Sequence, residues 1–255
     1  MTMTVAIAGL GAIGLPLARA LDLGVDGLSL MAVSARDQTK AKAKLAGFRN
    51  PPRLVELDEL AHADIVVEAV PAAMFERAVL SAGALLPRMH LMRRAVAAGA
   101  RIVVPTGALL GLDAVRAAAE GPVESVTMET RKPPNGLAGA PHLVKNNISV
   151  DGLTEPLLVF DGNALEAAAG FPANVNVAAA LALAGIGPVR TKVKIWADPG
   201  IDRNIHTISV EADAARFSMK IENVPSDENP RTGRLVALSV LACLRGLVSP
   251  LKVGS

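Results

Sequence analysis

Val5-Ala6-Ile7-Ala8-Gly9-Leu10-Gly11-Ala12-Ile13-Gly14-Leu15-Pro16-Leu17-Ala18-Arg19-Ala20-Leu21 decides the fold. An apolar run of strand character enters three glycines at GxGxxG spacing and leaves as a helix-like run. In a chain with 22 glycines the spacing alone says little. Strand, turn and helix in that order make a surface for a pyrophosphate: Gly9 allows the tight turn, Gly11 lets the backbone approach the phosphates, and Gly14 lets helix and strand pack closely. The helix N-terminus offers N–H groups and a partial positive charge to the anion. Gly9, Gly11, Ala12, Ile13 and Gly14 therefore form a cofactor-binding turn, against the alternative of a tight β-to-α turn that binds nothing.

The next apolar run, Leu28 to Val33, ends in Ser34-Ala35-Arg36-Asp37. An acidic residue at the tip of this second strand suits the ribose hydroxyls of NAD, whereas a small residue followed by arginine leaves room for the 2′-phosphate of NADP. Ser34 and Arg36 favour NADP or dual use, and Asp37 keeps NAD open. Residues 39 to 47 read as a helix, Asp64 to Val70 as a buried strand, Phe75 to Leu80 as the start of a helix, and Arg101 to Pro105 as another strand. This alternation predicts an α/β fold with a Rossmann-type, doubly wound parallel sheet over residues 1–106.

Beyond Thr106-Gly107-Ala108 the pattern changes. Strand-like alternation in Val123 to Arg131, Thr191 to Ala197, Thr207 to Ala212 and Arg216 to Glu222 predicts an α+β domain, with a buried helix over Asn174 to Ala184. A last helix is predicted from about Gly233 to Leu247.

Bulk properties exclude several classes. The 26 basic and 24 acidic residues are mixed along the chain, so no extended surface for nucleic acid or anionic membrane is marked. The longest apolar runs, Val177 to Gly187 and Leu235 to Leu244, fall short of the ~20 residues that span a bilayer. The N-terminal residues show no basic region and cleavage site of a secretory signal. With Cys243 alone, no intrachain disulfide or CxxC site is available, and the cytoplasm is the natural compartment. Cys243, among Leu241, Ala242 and Leu244, reads as a buried apolar residue.

A nicotinamide carries hydride itself, so the protein must supply orientation, charge recognition and an acid or base. His62 reads as a solvated loop residue, His90 lies in an irregular neighbourhood, and His142 sits in a Gly/Pro loop. His206 enters a strand from the polar loop Asp198-Pro199-Gly200-Ile201-Asp202-Arg203-Asn204-Ile205. It is either a proton-transfer group, with an unperturbed pKa near ~6.5, or a half-exposed strand histidine. The absence of tyrosine removes the Tyr/Lys donor of short-chain dehydrogenases. With no HExxH or clustered Cys/His set, no metal site is predicted.

GLGAIG at 9–14, VPTGALLGLDAV at 104–115, TRKPP at 130–134, FPANVNVAAALALAG at 171–185, ADPGIDRNIH at 197–206 and PSDENPRTGRLVALSVLACLR at 225–245 together resemble the L-aspartate dehydrogenase family, nearly end to end. The resemblance implies a two-domain enzyme using NAD or NADP, in some organisms feeding NAD biosynthesis. Residues 1–106 plus 229–255 would form the dinucleotide domain, and 107–228 an inserted catalytic and dimerisation domain with an open-faced sheet, giving a homodimer. The implied reaction is oxidation of L-aspartate to iminoaspartate, hydrolysed to oxaloacetate and ammonia, with reverse amination possible.

By the same resemblance His206 is the acid/base, and Asn174 and Asn176 with Thr106, Gly107 and Ala108 line the nicotinamide and substrate pocket. A dicarboxylate needs cationic or amide donors, and Arg131, Lys132 and Arg203 lie in the blocks that would edge the pocket. Asn204 or a backbone group would fix the His206 tautomer. The chain departs from the pattern at Leu110, which would narrow the site, at Thr207, where the family often has an acid, and at Gly233, where it has serine. Two other readings stand beside this one: the same chemistry on another amino or imino acid, and a non-catalytic dinucleotide-binding sensor or scaffold.

Overall fold

A computed structural model describes residues 2–69, 89–172, 176–226 and 233–254. The chain divides into two compact units: Met1–Ser81, Ser226–Thr232 and Val236–Val253 form one, and Ala82–Pro225, Gly233–Leu235 and Gly254–Ser255 the other.

The first unit runs β1 (Met3–Ala8), α1 (Gly14–Leu23), β2 (Leu28–Ser34), α2 (Gln38–Leu45), β3 (Arg53–Leu54) and β4 (Ile65–Glu68). Its strands pair in parallel in the order β3-β2-β1-β4. β1 shows why the sequence reads as a continuous apolar run. Val5 and Ile7 pack on one face with Leu17, Leu21, Val33, Leu45 and Leu244 of the C-terminal helix Leu235–Val248, while Ala6 and Ala8 pack on the other with Ala32, Val55 and Leu60. A strand buried on both faces has no polar side to alternate with. Each fully buried Val, Ile or Leu here contributes roughly 1.5–3 kcal/mol.

The second unit contains α3 (His90–Ala97), α4 (Leu112–Ala119), β5 (Val123–Lys132), α5 (Pro141–Lys145), β6 (Leu157–Asn163), α6 (Ala164–Gly170), α7 (Asn176–Ala184), β7 (Thr191–Ala197), β8 (Ile205–Ala212) and β9 (Arg216–Glu222). The sheet order is β6-β7-β5-β8-β9; β5 pairs parallel with β7 and antiparallel with β8. Val126 and Met128 of β5, Val193 and Ile195 of β7, and Ile208 and Val210 of β8 are buried in one cluster with Phe171 and α7 residues Ala178 and Leu181. The alternate positions, including Thr127, Glu129, Arg131, Lys194 and Thr207, are partly exposed on the opposite, open face.

Three local expectations change. Arg101–Pro105 forms no ladder among the described residues; Pro105 has no N–H to give one, and Val103 stays half exposed. β6 is a strand the sequence hid, because Asp161-Gly162-Asn163 within it has turn composition and a register irregularity falls between Leu158 and Phe160. Cys243 is half-buried rather than buried, and burial raises its thiol pKa. The expected helix start at Phe75 to Leu80 lies outside the described residues.

Candidate active site

The glycine turn fits a pyrophosphate by three measurements. A Cβ on Gly14 would stand 1.9 Å from the Gly9 carbonyl oxygen, so a side chain cannot occupy that position without moving the backbone. Gly9 itself has φ 97°, in the left-handed region. Gly11 has open space where its Cβ would be, leaving the backbone approachable. Helix α1 has no side-chain cap and no acid in its first turn, so its positive end stays available to an anion.

The tip of β2 lies directly against this turn, since the Gly9 N–H donates to the Ser34 carbonyl at 2.8 Å. Arg36 is exposed there. Asp37 is committed elsewhere: its carboxylate caps α2 by accepting from the Lys40 N–H at 3.0 Å, a bond that lowers its pKa below the usual carboxylate range.

In the second unit, pairing of β5 with β8 sets Thr130 opposite His206. The Thr130 hydroxyl and His206 Nδ1 are 3.0 Å apart, and both residues are only 2 % exposed. Lys132, two residues along β5 and so on the same face, is 5 % exposed. Burial pushes the His206 pKa down to about 3, with the Lys132 charge adding to the effect, and burial alone pushes the Lys132 ammonium down to about 8. His206 is thus buried rather than a half-exposed strand residue, and Thr130 rather than Asn204 holds its ring. Neither Thr130 nor the pairing was readable locally, because 76 residues separate the partners.

Strand alternation separates Arg131 from Lys132. Arg131 lies on the open face, donating to Glu129 at 3.0 Å and Asp198 at 3.1 Å, with its guanidinium 4.9 Å from the Trp196 ring centroid. Asp198 also accepts from the Gly200 N–H at 2.9 Å, so Arg131 braces the loop that leads to His206. Arg203 is held by Asp202 through two bonds, at 2.7 and 3.0 Å. The Asn204 carbonyl accepts from the N–H of buried Asn223 at 2.9 Å.

Thr106, Gly107 and Ala108 form a turn closed by the Leu109 N–H on the Thr106 carbonyl at 3.1 Å, with Gly107 at φ 65°. Leu109 fills the core, while Leu110, expected to narrow the site, is 53 % exposed. Asn176 opens α7 and is exposed; Asn174 lies outside the described residues. Thr207 projects to the open face, opposite Glu129 and Lys220 and away from His206. His142 packs against Phe160 and Phe171, at centroid distances of 5.2 and 5.3 Å, and serves the core.

A Rossmann-type unit with an open glycine turn, joined in sequence to a mixed-sheet unit bearing a buried histidine, defines an NAD(P)-dependent dehydrogenase. Residues 9–114 match the family model of the homoserine dehydrogenase NAD-binding domain, and residues 113–247 that of the aspartate dehydrogenase C-terminal domain. The L-aspartate dehydrogenase of Bradyrhizobium diazoefficiens is 56% identical over 99% of this chain and 94% of its own, and L-aspartate dehydrogenase 3 of Bordetella bronchiseptica is 54% identical over 98% and 97%. The crystal structure of aspartate dehydrogenase from Thermotoga maritima aligns over 100% of both chains with a TM-score of 0.73 and 28% identity. The chain belongs to the L-aspartate dehydrogenase family.

Proposed function

We infer that this enzyme oxidises L-aspartate to iminoaspartate, which hydrolyses to oxaloacetate and ammonia, and that it can run the amination in reverse. The observation that carries this reading is the buried Thr130–His206 pair beside Lys132, together with 56% identity over nearly the whole chain to a named L-aspartate dehydrogenase. NAD(P), when bound, supplies the hydride acceptor.

His206 is neutral across the working pH range, because its pKa is about 3. If Nδ1–H donates to the Thr130 hydroxyl oxygen, Nε2 keeps its lone pair and accepts a proton from the water that attacks the imine carbon. The low dielectric and the Lys132 charge both disfavour a lasting imidazolium, so the proton passes on to the departing ammonia. Lys132, in its protonated form, offers the substrate carboxylate a charge-assisted partner. Thr106, Gly107, Ala108, Asn174 and Asn176 line the nicotinamide and substrate, and Arg203 and Asn204 bind the substrate from the loop that leads to His206. Arg131 is reassigned to bracing that loop, on the strength of its bonds to Glu129 and Asp198.

The β2 tip supports NADP over NAD: Asp37 is occupied in capping α2, while Ser34 and Arg36 stand beside the glycine turn. A homodimer formed through the open sheet face is supported by the mixture of acids and bases there, such as Asp161 with Lys194 and Glu129 with Arg131, which suits a self-complementary two-fold contact. No described helix is long and apolar enough to cross a membrane. A cytoplasmic location is supported by the single cysteine.

A panel of amino acids offered with NADP and with NAD, followed by nicotinamide absorbance, tests the reading. Reduction with L-aspartate, faster with NADP, is expected. Reduction with another amino acid alone would transfer the enzyme to that substrate, and tight nucleotide binding without turnover of any amino acid would make it a sensor.

A further inference from the structure

Helix α2 carries an alternating cationic series, Lys40, Lys42 and Lys44. Lys40 pairs with Asp37 at 3.4 Å. Lys44 does something a solvated helix lysine does not. It lies in the last turn, where the free carbonyls of its own helix attract cations, yet its ammonium crosses to the glycine turn and donates to the Leu10 carbonyl at 2.8 Å, bridging 34 residues. Leu10 is 6 % exposed and stands between Gly9, whose N–H is bonded to Ser34, and Gly11, whose backbone is open. Lys44 is therefore fixed next to the place where the β2 tip meets the turn, the place where a dinucleotide fold reads the adenosine 2′ position. Lys44 forms no ion pair with a carboxylate among the described residues.

We propose that Lys44 is a specificity residue for the cofactor: anchored on the Leu10 carbonyl, it supplies, with Arg36, the positive charge that holds a 2′-phosphate. One of its three ammonium hydrogens is used on Leu10, leaving two for phosphate oxygens, and the anchor limits the rotamer freedom that makes most surface lysines weak partners. Arg36 brings a planar fork and Lys44 a compact charge, so the two recognise one phosphate by different geometry. This rests on the assignment of the β2 tip to NADP.

The test compares binding of adenosine 2′,5′-bisphosphate and AMP by titration calorimetry, which needs no turnover. Lys44→Gln keeps an amide donor for Leu10 but removes the charge. It is expected to weaken the bisphosphate about tenfold, roughly 1.4 kcal/mol, and to leave AMP within twofold; Lys44→Arg should retain most of the preference. Unchanged bisphosphate binding in Lys44→Gln, or equal losses for both probes, overturns the role. Arg36→Ala separates this from the parent assignment. If it loses the bisphosphate selectively while Lys44→Gln does not, only Lys44 is wrong; if wild type does not prefer the bisphosphate and Arg36→Ala changes neither probe, the NADP assignment falls with it.

Discussion

The two faces of the five-stranded sheet are made by the same strands and do opposite things with charge. On the open face acids have bases at hand: Glu129 with Arg131, Asp161 with Lys194, Glu222 with Lys220. Exposed pairs of this kind are worth about 0–1 kcal/mol each and mainly set the surface. On the helix-covered face Thr130, Lys132 and His206 are the polar groups that β5 and β8 place among apolar neighbours, and burial moves the pKa values of the two titratable ones. Proximity in sequence is thus a poor guide to shared chemistry in a strand. Arg131 and Lys132 are neighbours that serve different faces, while Thr130 and His206 are distant and serve one.

The largest expected contrast between the faces is in acid. The folded His206 pKa of about 3 lies below the value of 6.5 that an exposed imidazole takes. As pH falls below 6.5 the unfolded chain gains a proton the folded one refuses, so stability is lost from there down to about 3. The full loss is on the order of 5 kcal/mol, with about 3 already gone at pH 4.5. Urea unfolding at pH 7 and pH 4.5 should show this, and His206→Gln should shrink the difference. A wild-type curve as flat as that of the glutamine variant would mean the ring is solvated.

Next in size is catalysis itself. His206→Ala should lower kcat for aspartate about a thousandfold, within the range of general acid–base effects, while the Kd for NADPH stays within twofold. Unimpaired turnover would return His206 to a structural role. Smaller again is the split between the adjacent cations. Lys132→Gln should raise the KM for aspartate roughly thirtyfold, about 2 kcal/mol of a charged hydrogen bond. Arg131→Gln should leave KM within a few-fold and act on the melting temperature instead. In wild type, aspartate binding should weaken above about pH 8 as Lys132 loses its charge. Equal KM effects from both substitutions would erase the distinction between the faces.

What the sequence disclosed follows the same division between local and distant. The glycine turn was legible because its demands are local: Gly14 must be glycine to clear the Gly9 carbonyl a few residues away. β1, β5, β7, β8 and β9 were legible from run length or alternation. β6 was not, since a Gly at position 162 and flanking Asp and Asn imitate a turn. The polar loop and the family resemblance mark His206, but its burial and its partner depend on the β5–β8 register. Asp37 shows the converse. Its type allowed a ribose contact, and only its bond to the Lys40 N–H shows where the carboxylate is used.

The smallest effect is also the most specific. Thr130→Val keeps the shape of the side chain and removes the oxygen, so the core should tolerate it while His206 Nδ1 loses its hydroxyl partner at 3.0 Å. The ring can then rotate or take the other tautomer, and the fraction with Nε2 free to receive a proton falls. A tenfold drop in kcat, equal to about 1.4 kcal/mol, is expected with KM for aspartate and Kd for NADPH little changed. Thr130→Ser restores the hydroxyl without the methyl and should recover most of the rate, which separates orientation of the imidazole from packing. If serine and valine are equally slow, the methyl matters rather than the hydroxyl, and the tautomer of His206 is set by something other than β5.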